Sequence, residues 1–327
     1  MTILVTGGCG FIGTNFIIKF SKLYPEERII NLDKLTYAAN LGIHELSNRF
    51  FTSKKYKAYT GDIGSHALVR DLLVEFEPEK IINFAAESHV DRSIHDSSPF
   101  IKTNVQGTMN LLDCIRKYVT WDYRLLHVST DEVYGSLSLD DPAFNEQTPY
   151  DPRSPYSASK AASDHLVNAY RHTHGLQTII TNCSNNYGPF QHQEKFIPTI
   201  ILKALKGEKI PVYGSGSNIR DWLFVEDHCD ALIKVLEKGT IGEKYNIGGN
   251  EEKTNLDIAK YILDNLVLPH DMIEFVEDRK GHDFRYAIDT TKIERDLGWY
   301  SKTFFSKGIE KTIDWYSNHQ YLFRGSR

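Results

Sequence analysis

The sequence predicts an α/β chain: a doubly wound parallel sheet followed by a smaller α/β unit. Three observations carry this. Short β-branched apolar runs alternate with helical patterns through the first half. The runs are continuously apolar, as parallel strands buried on both faces must be. A glycine-spaced turn joins the first run to the first helical pattern.

In chain order, the strand-like runs are 3–5, 29–32, 56–59, 80–84, 125–128 and 177–181. Helical periodicity covers 11–23, 66–76, 105–117 and 157–174. After Thr181 the pattern loosens, and turns at Tyr187-Gly188-Pro189 and Tyr213-Gly214-Ser215-Gly216 separate shorter elements. Helices are predicted over 195–205, 226–236, 255–266 and 306–317, and the strand-like 244–247 is expected to rejoin the first sheet. The chain thus divides into a dinucleotide-binding unit at 1–182, which also receives segments near 220–250, and a mainly ligand-binding unit at 183–327. The last four residues, 324–327, read as an appended tail.

Of 327 residues, 38 are Lys or Arg and 43 are Asp or Glu, a formal net charge of −5. A general nucleic-acid binder needs a basic face to neutralise phosphates, so none is expected here. No apolar run reaches the roughly 20 residues of a membrane helix. The first residues enter a strand pattern at once and lack a basic n-region, so a cytoplasmic location is expected rather than secretion. Cys9, Cys114, Cys183 and Cys229 are widely scattered and read as reduced, buried thiols. Neither they nor the thirteen His residues show metal-ligand spacing, so no metal is expected.

The spacing Gly7-x-x-Gly10-x-x-Gly13 follows the first strand and opens the first helix. Early glycines permit a tight turn and close approach of a pyrophosphate, and Gly13 lets the helix pack against the sheet. The helix N-terminus adds partial positive charge. Asp33 ends the second strand, where a carboxylate accepts from ribose hydroxyls and repels a 2′-phosphate; NAD is favoured over NADP. Tyr156 and Lys160 are four apart and share a helix face, so the ammonium is expected to lower the phenol's pKa. Asp131 and Glu132 follow a strand at its C-terminal end, where open sheets bind ligands. Burial and the neighbouring carboxylate would keep Asp131 protonated.

The glycine spacing together with Tyr156-x-x-x-Lys160 resembles the extended short-chain dehydrogenases/reductases, a Rossmann-type family. Ser129-Thr130-Asp131-Glu132-Val133-Tyr134-Gly135 and Ser184-Asn185-Asn186-Tyr187-Gly188-Pro189 narrow the resemblance to nucleotide-sugar 4,6-dehydratases, as do 33–40, 84–93, 219–222, 245–249 and 279–283. The resemblance runs from Thr2 to about Tyr316. It implies a retained NAD and dTDP-glucose as substrate, with UDP-glucose as the alternative. The implied roles are Thr130 at the C4 oxygen, Asp131 as acid, Glu132 as base, Tyr156 for the C4 hydroxyl and Lys160 at the nicotinamide ribose. Phe11, Ile12, Lys34, Thr36, Asp62, Ile63, Ala85, Ala86, Glu87 and Thr103 fall where the family contacts NAD. Ser88, Asn185, Asn186, Lys195, Tyr213, Arg220, Asn255, Arg279 and His282 fall where it contacts the nucleotide sugar, the two arginines offering planar forks to phosphate. The resemblance further implies a homodimer through the helices over 105–117 and 157–174. Two departures stand out: Lys280 replaces the family's usual Pro, and 139–142 is compact. An epimerase or decarboxylase on the same scaffold, or a non-catalytic NAD-binding protein, are the competing readings. Those related enzymes usually lack the Asp-Glu pair, so Asp131 discriminates against them.

Overall fold

The computed structural model of the protein describes residues 1–40, 55–279 and 281–323. Lys280 and the 324–327 tail lie outside them. The strands are β1 (Thr2–Thr6), β2 (Arg28–Asp33), β3 (Tyr56–Thr60), β4 (Lys80–Asn83), β5 (Arg124–Thr130), β6 (Thr178–Cys183), β7 (Asn185–Tyr187), β8 (Ile210–Tyr213), β9 (Ile219–Phe224), β10 (Lys244–Ile247), β11 (Glu252–Thr254) and β12 (Ile273–Val276). Among the described residues, one sheet has seven strands in the order β10-β6-β5-β4-β1-β2-β3, all parallel. Strand order reverses between β1 and β4, which leaves a crevice at their C-terminal ends.

Both faces of the sheet are covered. On one face, Phe16 and Phe20 of helix Phe11–Leu23 pack with Val225, Cys229, Leu232 and Leu236 of helix Val225–Lys238. On the other lie helices His66–Phe76, Thr108–Tyr118 and Pro155–His174. The last of these starts at a capping box: Ser154 and Ser157 each accept the other's backbone N–H at 3.0 Å, with Pro155 at the first position. The cap fixes the helix start one residue before Tyr156. The helix expected over 105–117 is longer. Ser98–Phe100 runs through a π-helical segment, Ile101–Gly107, into Thr108–Tyr118. Such widened turns concentrate at functional sites. In this one, Asn104 splints the loop after β4. Its Oδ1 accepts Glu87 N–H at 2.8 Å, and its Nδ2 donates to Glu87 O at 3.0 Å and to Ser159 Oγ at 2.8 Å.

The second half builds two small sheets, β11-β9-β7 and β12-β8. Helices Phe196–Leu205, Asn255–Asn265 and Phe305–Asn318 enclose them around Tyr187, Trp222, Phe224 and Phe305. β10 pairs with β6 and so belongs to the large sheet.

His228, wholly buried on helix Val225–Lys238, sets a pH dependence. Burial pushes it down to about 3, and its Nδ1 lies 2.8 Å from Asn186 Oδ1. The unfolded chain protonates it near the ordinary value of 6.5. Its stabilising contribution is therefore full above about pH 6.5 and is lost as pH falls toward 3, by roughly 4 kcal/mol in all. The thermal midpoint should fall with acid between about pH 6 and 4, and His228→Gln should flatten that slope.

Candidate active site

A cavity of about 320 Å³ opens at the reversal between β1 and β4. Every residue expected at the dinucleotide, from Gly7 to Lys160, lines it, as do Ser88, Thr130, Asn185, Asn186 and Lys195. Its floor is the turn after β1. Gly7 has φ 71°, and a Cβ there would stand 2.6 Å from Ala85 N, so only glycine lets the ends of β1 and β4 meet. A Cβ on Gly13 would run into the Gly7 carbonyl and come within 2.7 Å of Gly8 Cα. Asp33 closes the turn from the side: Oδ2 accepts Cys9 N–H and Oδ1 accepts Leu35 N–H, both at 2.8 Å. Lys34 pairs with Asp62 at 2.9 Å, and Lys195 Nζ donates to Ser88 O at 2.8 Å.

The far wall is the end of β5. Thr130 caps the short 3₁₀ turn Asp131–Tyr134, its hydroxyl accepting from Glu132 N–H at 3.3 Å. The Thr130 hydroxyl also lies 3.2 Å from Asp131 Oδ1 and bonds the Tyr156 phenol. Asp131 is buried, and its Oδ2 has no hydrogen-bond partner among the described residues. Burial, then Glu132 and Asp221, hold the Asp131 carboxyl well above the carboxylate range. Burial also raises Glu132, but three cations, Lys195, Arg220 and Arg279, oppose it. Both carboxyls are thus raised, Asp131 with two neighbouring carboxylates adding to burial and Glu132 with three cations set against it, which makes Asp131 the one held as the acid.

The phenol departs from expectation. Burial and the Glu132 carboxylate push Tyr156 well above its ordinary value. Lys160 does not reverse this: its Nζ donates to Val128 O at 2.8 Å. The shared helix face is real, but desolvation outweighs the ammonium.

The expected sugar contacts divide. Asn185 Oδ1 is buried without a partner among the described residues, whereas the Asn186 amide is spent on Ser184 O (2.9 Å) and His228 (2.8 Å). Arg220 is 7% exposed, stacks on Tyr286 at 4.2 Å, and donates to the carbonyls of Ile219 (2.7 Å), Phe284 (3.2 Å) and Asp283 (2.9 Å). Its planar fork is turned to backbone rather than left free for phosphate. Arg279 bonds Asp91 through Nη2 at 2.8 Å. Tyr213 and His282 cluster beside it, with the guanidinium 5.3 Å from the Tyr213 ring. These four residues and Asn255 lie outside the cavity lining. The 139–142 stretch is an exposed loop, as expected.

Sequence reasoning missed Gln191, His192 and Glu194, which also line the cavity. Glu194 gathers Arg92 at 3.1 Å, His192 at 3.4 Å and His89 at 3.7 Å. Burial alone would raise it, but these partners hold it down to about 2. Its only signal was adjacency to Lys195. Asp221 was visible within the motif at 219–222, but its like-charge pressure on Asp131 requires the fold.

Residues 4–312 match the family described as GDP-mannose 4,6 dehydratase. A dTDP-glucose 4,6-dehydratase of Xanthomonas campestris pv. campestris (strain B100) is 49% identical over 346 residues, covering 99% of this chain and 95% of that one. Among solved structures, the dTDP-glucose 4,6-dehydratase of Bacillus anthracis in complex with NAD is 45% identical, with TM-score 0.90 and 98% of each chain covered. That of Streptomyces venezuelae, with NAD and TYD bound, is 43% identical, with TM-score 0.93 and the same coverage. Identity near one half over almost the full length, on one shared fold, makes the chain a member of the dTDP-glucose 4,6-dehydratase family.

Proposed function

We propose that the protein dehydrates dTDP-glucose to dTDP-4-keto-6-deoxyglucose and holds NAD throughout the cycle. The observation that carries this reading is the Asp131–Glu132 pair: adjacent carboxyls beside Tyr156, Asp131 raised well above its ordinary value and Glu132 raised against the pull of three cations. The names of the relatives, and the NAD in two of their structures, support it. The residues present fit NAD. The Gly7–Gly13 turn leaves backbone-lined room for a pyrophosphate, and the Asp33 carboxylate lines the same cavity at the end of β2, where it would meet the ribose hydroxyls.

Bound NAD⁺ supplies the hydride acceptor for C4, positive charge that offsets Glu132 at the phenol, and the hydride returned to C6. Thr130 holds the C4 oxygen, and Tyr156 takes the proton of the C4 hydroxyl. The C4 ketone makes the C5 proton acidic, and Glu132 removes it and gives a proton back to C5 when hydride reaches C6. Asp131 gives its proton to the departing C6 hydroxyl, which leaves as water. Lys160 orients the ribose. Asn185 and Lys195 face the pyrophosphate sugar, and Arg220 and Arg279 supply positive charge to the same cleft.

Purified protein given dTDP-glucose should yield a product lighter by one water that absorbs in alkali. Turnover of UDP-glucose with dTDP-glucose unchanged would overturn the choice of base, since the thymine methyl is worth only about 1–3 kcal/mol. A C4 epimer of unchanged mass would favour the epimerase reading instead. Gly13→Ala should displace the turn and weaken dinucleotide binding at least about tenfold, read by calorimetric titration of the stripped protein.

The same proposal assigns residues 1–182, with β10, to NAD and 183–327 mainly to the nucleotide sugar. It makes the protein a homodimer: Ile94, Ile101 and Met109 stay 41–46% exposed on or beside the helices over 98–118. Sizing as a monomer at micromolar concentration would contradict this. A cytoplasmic location completes it, supported by four buried, free cysteines. Among the described residues no helix is long and apolar enough to cross a membrane, and none of their His, Cys, Asp and Glu groups could hold a metal.

A further inference from the structure

The helix that carries Tyr156 and Lys160 has a third polar residue in the same register. Asp164, four residues beyond Lys160, shares their face and is fully buried. Its Oδ2 accepts from Ser129 Oγ at 2.8 Å, Tyr150 OH at 2.9 Å and Asn182 Nδ2 at 3.4 Å. Its Oδ1 lies 3.4 Å from His127 Nε2.

His127 is itself fixed from behind. Thr6 Oγ1, at the end of β1, donates to Asn83 Oδ1 at 2.5 Å. That leaves Asn83 Nδ2 to donate to His127 Nδ1 at 3.1 Å. The imidazole proton therefore sits on Nε2, toward Ser163 Oγ at 3.2 Å and Asp164. A chain of donors thus crosses from β1 through β4 and β5 to Ser163 Oγ on the catalytic helix, whose hydroxyl donates to Lys160 O at 2.7 Å, while the imidazole edge faces the Asp164 carboxylate.

A buried ammonium and a buried carboxylate are each costly alone. Lys160 is 4% exposed, and burial lowers its ammonium while Asp164 opposes the fall. Burial would raise Asp164, yet His127, the Lys160 charge and the Ser129 bond hold it below the ordinary carboxylate value. The other titratable groups nearby are Cys183 on β6, beside Lys160, and Tyr134, Tyr150 and Lys244, beside Asp164; Lys244 stands 4.5 Å from the Tyr150 ring centre.

We propose that Asp164 is the positioning residue of Lys160: a buried carboxylate on the same helix face, held by Ser129, Tyr150 and Asn182, that keeps Lys160 a cation at the cavity wall. The proposal rests on the role given to Lys160 above, but half of its test does not depend on turnover. In full-length protein, Asp164→Asn should lower the thermal midpoint clearly in the presence of Lys160 and much less in a Lys160→Met background. Where Asp164→Asn alone does not fold, the double variant should recover folded protein. Equal losses in the two backgrounds, no recovery, or equal relief from Lys244→Met would each overturn the proposal. The second half is a rate profile. With dTDP-glucose, the alkaline limb of kcat should move to lower pH by about one unit or more in Asp164→Asn. A strong coupling in stability with an unmoved limb would leave Asp164 a packing partner and refute the positioning role. Failure of the unaltered protein to dehydrate dTDP-glucose would defeat the proposed function while the stability cycle still decides the charge pairing.

Discussion

Asp131→Asn will oxidise dTDP-glucose at C4 yet release water about 10²–10⁴ times more slowly, the usual worth of a positioned general acid. The amide keeps the shape and the Thr130 contact but has no acidic proton to give. The distinguishing readout is isotopic. In heavy water the variant should still wash deuterium into C5, because Glu132 remains to remove that proton, while the C6 hydroxyl stays in place. The surroundings make the outcome specific. Burial, Glu132 and Asp221 keep the Asp131 proton on against Arg220 and the Thr130 bond, whereas at Glu132 three cations oppose the rise that burial causes. Normal elimination by the variant would remove Asp131 from the role of acid.

Tyr156→Phe should fail one step earlier. Without the phenol nothing takes the C4 hydroxyl proton, no ketone forms, and C5 never becomes acidic. Both deuterium exchange and product should fall by about 10²–10⁴-fold together. The fold should survive, since the change removes a hydroxyl from a ring packed edge-on to Phe100 at 6.3 Å. Exchange at C5 in this variant would show that another group performs the oxidation step.

Much of the large sheet was legible because its strands are apolar on both faces and its helices begin and end at clear signals. The helix over 11–23 was read to the residue, and the one over 157–174 to within two. The small sheets were not legible. β9 carries Arg220 and Asp221 side by side, and β7 is three residues long, so neither shows an apolar run. The π-helical entry at 101–107 was missed because its polar Asn104 faces inward to hold Glu87. In the site, position along the chain was readable but orientation was not. Arg220 lay in the quoted motif at 219–222, yet nothing in its neighbours indicates that the guanidinium turns to three carbonyls. The phenol was misjudged for a related reason: spacing reports who shares a helix face, not how much water is excluded from it.

The late return of β10 bears on biogenesis. β6 is an inner strand only because β10 covers its edge, and residues 184–243 emerge between them. Until residue 247 has left the ribosome, β6 presents an open row of N–H and C=O groups to any passing strand. A chain cut after residue 182 leaves that edge open and should associate and precipitate rather than stay monomeric.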